Sequence, residues 1–107
     1  MANNVYDLPD PLPDAEVLTD LVSSDAVRIE RIVSSGQTTP ENEWYDQILD
    51  EWVVLIQGEA ALEYEDGEKV RLNAGDHVLI PAHARHRVVF TSREPPCIWI
   101  AVFGDLV

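Results

Sequence analysis

Glu51-Trp-Val-Val-Leu-Ile-Gln-Gly58 and Gly75-Asp-His-Val-Leu-Ile-Pro-Ala-His-Ala-Arg-His86 are the stretches on which the reading of this chain turns. Each couples a glycine to a short run of bulky apolar residues, the composition of a strand entered or left through a turn. Strand parity puts Glu51 on the face of Val53 and Leu55, and His86 on the face of Val88 and Phe90. A packed sheet would bury both polar groups, and an unpaired buried carboxylate is costly. Glu51 and His86 are therefore expected to meet, either in a ligand or substrate site or in a structural hydrogen bond.

Outward from these stretches, the segment from Val27 onward is built of short strand patterns broken by turns, which predicts an all-β sandwich or barrel. Val27–Val33 is the first strand expected. Leu62, Tyr64, Val70 and Leu72 alternate with charged neighbours around Asp66-Gly67, a hairpin signature. His77–Pro81, His86–Thr91 and Cys97–Phe103 complete the set. Upstream, Pro9, Pro11 and Pro13 at alternate positions disfavour helix and hold the chain extended. Residues 1–26 are thus expected to form an N-terminal arm with a short helical turn over Ala15–Val22, and residues 27–107 the domain.

Composition narrows the function. A chain of 107 residues is one domain, and its single cysteine, Cys97, excludes a disulfide framework and cysteine-rich zinc modules. Cys97, after Pro95-Pro96, reads as a small buried hydrophobe at a strand start. Twenty acidic against seven basic residues give a net charge of −13, which repels phosphate backbones. Nucleic acid and anionic membranes are discounted as partners. No membrane-length apolar run or export signal is visible, so a cytoplasmic location is expected. Strands 51–57 and 98–103 are apolar on both faces, so the second face needs a cover, either the Pro-rich arm or a partner in a homodimer.

Taken together, Glu51-x6-Gly58 and Gly75-x5-Pro81-x4-His86 resemble the paired motifs of the cupin superfamily, specifically the small single-domain cupins. The likeness spans roughly residues 27–103 and implies a cupin-type antiparallel β-barrel, the jelly roll or double-stranded β-helix. In that family two histidines and a glutamate of the first motif and a histidine of the second bind a divalent metal inside the barrel. Glu51 and His86 fall on the glutamate and the second histidine. The first pair is rewritten: Tyr45 and Gln47 stand there under one spacing, Trp44 and Asp46 under the other. His83 replaces the second motif's glycine, and Phe90 its asparagine.

The resemblance implies one divalent metal held by Glu51, His86 and either Gln47 or Asp46, with Mn, Fe, Ni and Zn all open. So oxygen-rich a set suits Mn²⁺, Mg²⁺ or Ca²⁺ better than the iron of dioxygenases. Tyr45 is the candidate acid/base or substrate-orienting residue. Trp44, His83 and Arg85 join it as candidate pocket residues. Arg85, Arg87 and Arg93 form either a basic rim for an anionic small molecule or cross-strand pairs with Glu63, Glu65 or Glu68. The alternative to a metal protein is a metal-free ligand-binding or structural module built on the same cavity.

Overall fold

The computed structural model describes residues 1–107. It has eight strands: β1 (Val17–Ser23), β2 (Val27–Ser34), β3 (Asp50–Gln57), β4 (Glu59–Tyr64), β5 (Lys69–Asn73), β6 (His77–Ile80), β7 (His86–Thr91) and β8 (Cys97–Gly104). All pair antiparallel. They form a five-stranded sheet in the order β1-β2-β8-β3-β6 and a three-stranded sheet in the order β5-β4-β7. No helix is long and apolar enough to cross a membrane.

Two expectations are corrected. Strand pairing does not continue from one sheet into the other, so the closed barrel is an open pair of sheets. The edge strand β6 stops before Pro81, which has no N–H with which to extend a ladder. The helical turn expected over Ala15–Val22 is instead strand β1, paired with β2 from Val17↔Val33 to Ser23↔Arg28. A long partner strand outweighs a weak local signal, and the Val, Leu and Thr content of β1 suits a sheet. Residues 1–16 carry neither helix nor strand.

The core lies between the sheets and follows the period of two. Val53 and Leu55 of β3, Ile80 of β6 and Trp99, Ala101 and Phe103 of β8 meet Ala60 and Leu62 of β4 and Leu72 of β5. Cys97 is fully buried at the start of β8. The chain passes between sheets at Gly58, where φ is +94° and an added Cβ would sit 2.8 Å from Ser92 Oγ and 3.0 Å from Cys97 Cα. Both the left-handed backbone and the close approach require glycine there. The β4–β7 register shifts between Ala61 and Leu62, so that Leu62 faces Val88 while Ala61 faces Phe90. That bulge reverses parity, and Phe90 is exposed instead of inward with His86 and Val88.

The outer face of the large sheet carries one apolar row and one mixed row. Leu79, Trp52, Val102, Ile29 and Val22 follow one another across all five strands; His77, Val54, Ile100, Arg31 and Thr19 form the next row. Arg31 is largely buried and donates from Nη1 to the carbonyls of Val5 at 3.3 Å and Asp7 at 2.8 Å.

Candidate functional site

Between the sheets lies a cavity of about 470 Å³. Its inner wall is Glu51 and Val53 of β3, His86 and Val88 of β7, and Trp99 and Phe103 of β8. Its outer wall is Arg28, Glu30 and Ile32 of β2, with Leu18 of β1 and Glu16 just before it. Tyr45 and Gln47 close one side.

Glu51 and His86 are both buried and converge, Glu51 Oε1 standing 3.9 Å from His86 Nε2. That is beyond hydrogen-bond range. The imidazole Nδ1 lies 2.8 Å from the Ala84 carbonyl, an acceptor, so Nδ1 carries the proton and Nε2 presents its lone pair. Burial disfavours charge on both. It pushes the Glu51 carboxyl up to about 7 against the opposing hydrogen bond from Gln47, and pushes the His86 pKa down, the Ala84 carbonyl working against that shift. Both groups therefore favour their neutral forms more than free side chains do.

Backbone bonds decide which of the rewritten residues face the cavity. Tyr45 N–H donates to the His86 carbonyl at 2.8 Å, His86 N–H to the Tyr45 carbonyl at 3.2 Å, and His83 N–H to the Gln47 carbonyl at 2.8 Å. This short bridge brings Tyr45 and Gln47 to the cavity and turns Asp46 to the surface, where Oδ1 lies 2.8 Å from His83 Nδ1. Tyr45 is a half-exposed rim residue, its ring centroid 5.6 Å from that of His86. Burial, then the Glu16 charge, raise its pKa, so its phenol keeps its proton and acts as a hydrogen-bonding group. His83 adopts φ +64°, which accounts for a glycine at this position in the family motif.

Four of the residues singled out lie outside the cavity. His83 and Asp46 hold each other; Trp44 lies beneath the Arg87 guanidinium at 5.1 Å; Arg85 pairs with Glu65 at 2.5 Å. Arg87 pairs with Glu63 at 2.6 Å. The arginines beside His86 are thus engaged in cross-strand pairs.

Sequence reading missed Glu16, Arg28 and Glu30. Glu16 accepts a 2.6 Å bond from Ser34 Oγ, which in turn accepts the Trp99 Nε1–H at 3.2 Å. Arg28 lies over the Phe103 ring at 4.3 Å. The alternation Arg28-x-Glu30-x-Ile32 was the available signal, since Ile32 packs against the core and parity carries the other two to the same face.

The donor set falls short of the divalent metal implied by the resemblance. No three His, Cys, Asp or Glu side chains are grouped to hold an ion. Glu51 and His86 offer one oxygen and one nitrogen, and Gln47 adds a neutral amide. These residues do not fit a resident metal centre.

A family model described as Cupin domain matches residues 31–103. A Ralstonia eutropha JMP134 protein, provisionally assigned as a mannose-6-phosphate isomerase, is 38% identical with a TM-score of 0.90, the match covering 99% of each chain. A cupin superfamily protein of Desulfitobacterium hafniense DCB-2 is 19% identical with a TM-score of 0.72, over 87% of this chain and 80% of that one. The DMSP lyase DddQ of Ruegeria pomeroyi DSS-3 is 21% identical with a TM-score of 0.72, over 92% of this chain and 51% of its own. Among curated proteins none matches.

Proposed function

The chain belongs to the cupin-domain family, and on that premise we propose that its cavity binds a small polar molecule directly through side chains, without a resident metal. One observation carries this reading: Glu51 and His86, both buried, face each other across 3.9 Å with no third His, Cys, Asp or Glu grouped with them. Gln47 and Tyr45 extend the polar wall, while Val53, Leu62, Ile80 and Val88 supply the apolar one. Few polar groups set in apolar walls suit a ligand of modest size. The Ralstonia neighbour's assignment would bring a phosphate dianion. Glu16, Glu30 and Glu51 against Arg28 argue against such a ligand here. The buried, unpaired Cys97 suits a cytoplasmic setting.

Elemental analysis of untagged protein tests the reading, together with ligand-induced melting shifts in wild type, Glu51→Gln and His86→Asn. Expected are negligible metal and shifts that weaken in both variants. About one equivalent of metal per chain, lost in either variant, would overturn it.

We infer further that a second copy of the chain covers the outer face of the five-stranded sheet beside Arg31, which residues 5 and 7 of the chain itself already cap. Its two cross-strand rows hold seven aliphatic or tryptophan residues and no carboxylate, in a protein of net charge −13. That face is where two such acidic molecules approach with least repulsion, and a two-fold axis would set it against itself.

A further inference from the structure

The polar groups deepest in the cavity are acceptors in want of donors. His86 is 4% exposed, its Nδ1–H is spent on the Ala84 carbonyl, and its Nε2 lone pair has no hydrogen-bond partner. Glu51, 7% exposed, draws one neutral side-chain donor, the Gln47 amide, and its Oε1 stands 3.9 Å from that same nitrogen. Two acceptors at this separation can both lie about 2.8 Å from one donor atom placed between them.

Hydrogen count narrows that atom to one carrying at least two hydrogens, a condition that water or a neutral amide also meets, and charge decides among them. A hydroxyl brings one hydrogen and serves one acceptor. A carboxylate or phosphate oxygen brings none and would face the Glu51 carboxylate. A primary ammonium brings three hydrogens on one atom, and its charge matches Glu51. Resting on the reading of the cavity as a ligand site, we propose that the ligand is a small organic amine whose ammonium nitrogen sits between Glu51 Oε1 and His86 Nε2.

The charges of the outer wall support the same choice. Glu16 is fixed by Ser34, itself fully buried and tied to the indole N–H of Trp99. Glu30 stands beside it, its pKa raised by burial, with Arg28 opposing and Asp20 and Glu16 adding to the shift. Arg28 is the one permanent cation in the lining, and the Phe103 ring lies beneath its guanidinium. The lining thus sets three carboxylates, Glu16, Glu30 and Glu51, against the single guanidinium of Arg28, a balance that favours an ammonium over an anion. Trp99 and Tyr45 add aromatic walls of the kind that attract an organic cation.

Two matched triads test the proposal on the full chain stripped with a chelator: glucosamine, glucose and glucuronate; and 2-aminoethanol, ethylene glycol and glycolate. Binding is followed by nitrogen NMR at His86 Nε2. The amine of each triad is expected to bind at least about tenfold tighter than its neutral partner. It should move the His86 signal, and it should weaken in Glu51→Gln and in Glu30→Gln. Neutral or acidic members binding as tightly as the amines, still at His86, would overturn the ammonium and leave the cavity a ligand site. A His86 signal unmoved by all six compounds, or moved only by added Mn²⁺ or Zn²⁺, would overturn both.

Discussion

Glu51 and His86 face each other across 3.9 Å with their proton affinities displaced in opposite directions by the same burial. Glu51, raised from 4.5 to about 7, binds its proton more tightly in the folded chain than in the unfolded one. Its contribution to stability is full below pH 4.5 and is lost as pH rises through about 7. His86, lowered from 6.5, acts the other way: below 6.5 the unfolded chain takes up the proton first, and stability falls on acidification. Glu51→Gln is therefore expected to be more stable than wild type at about pH 8, by about 2–3 kcal/mol. The two should converge near pH 4.5, where the folding penalty on the carboxylate ends. Urea midpoints across this range check it, and parallel curves would count against a buried, titrating Glu51.

The two motif glycines differ in what they guard. Both adopt left-handed backbone, φ +94° at Gly58 and +97° at Gly75, but a Cβ at Gly75 meets nothing within 4 Å while one at Gly58 meets Ser92 and Cys97. Gly75→Ala should cost about 1 kcal/mol for backbone strain alone. Gly58→Ala should cost about 2–4 kcal/mol, with overpacking added to the strain. Equal losses on denaturant titration would show that the contacts at Gly58 relax freely.

His83 holds φ +64° on an exposed turn, with Asp46 as its only side-chain partner. His83→Asn and His83→Val both remove the imidazole, but only asparagine tolerates this backbone readily. The valine variant is expected to be less stable than the asparagine variant by about 1–2 kcal/mol. If the two variants melt together, the turn has rearranged and the strain is absent.

How far the site was legible depended on the range of the interaction that placed each residue. Glu51 could be read inward because β3 keeps strict alternation with Val53 and Leu55. Phe90 could not, because a bulge opposite Ala61 and Leu62 reverses parity within β7, and a bulge is set by the partner strand. Glu16 and Glu30 were missed for a related reason. They reach the cavity only because β1 pairs with β2 and β2 with β8, contacts between segments remote in sequence, and the prolines upstream masked β1. For the metal implied by the motif, spacing located Glu51 and His86, while Gln47 and Tyr45 beside them add no further charged donor.

The outer face of the large sheet gives the last prediction. Val54 and Ile100 lie directly opposite each other on adjacent strands, half-buried, at the middle of the outer face, with Trp52 and Val102 opposite in the neighbouring row. In a homodimer built on this face, Val54→Asp places a carboxylate at its centre in each copy. The two charges would meet across the two-fold axis in an apolar setting, a penalty of several kcal/mol. In the single chain the same side chain already touches solvent, so the fold should lose little. Light scattering coupled to gel filtration is expected to report a dimer for wild type and a monomer for Val54→Asp, with folded circular dichroism in both. A wild-type chain that stays monomeric at high concentration, or a variant that dimerises as tightly, places the interface elsewhere or removes it.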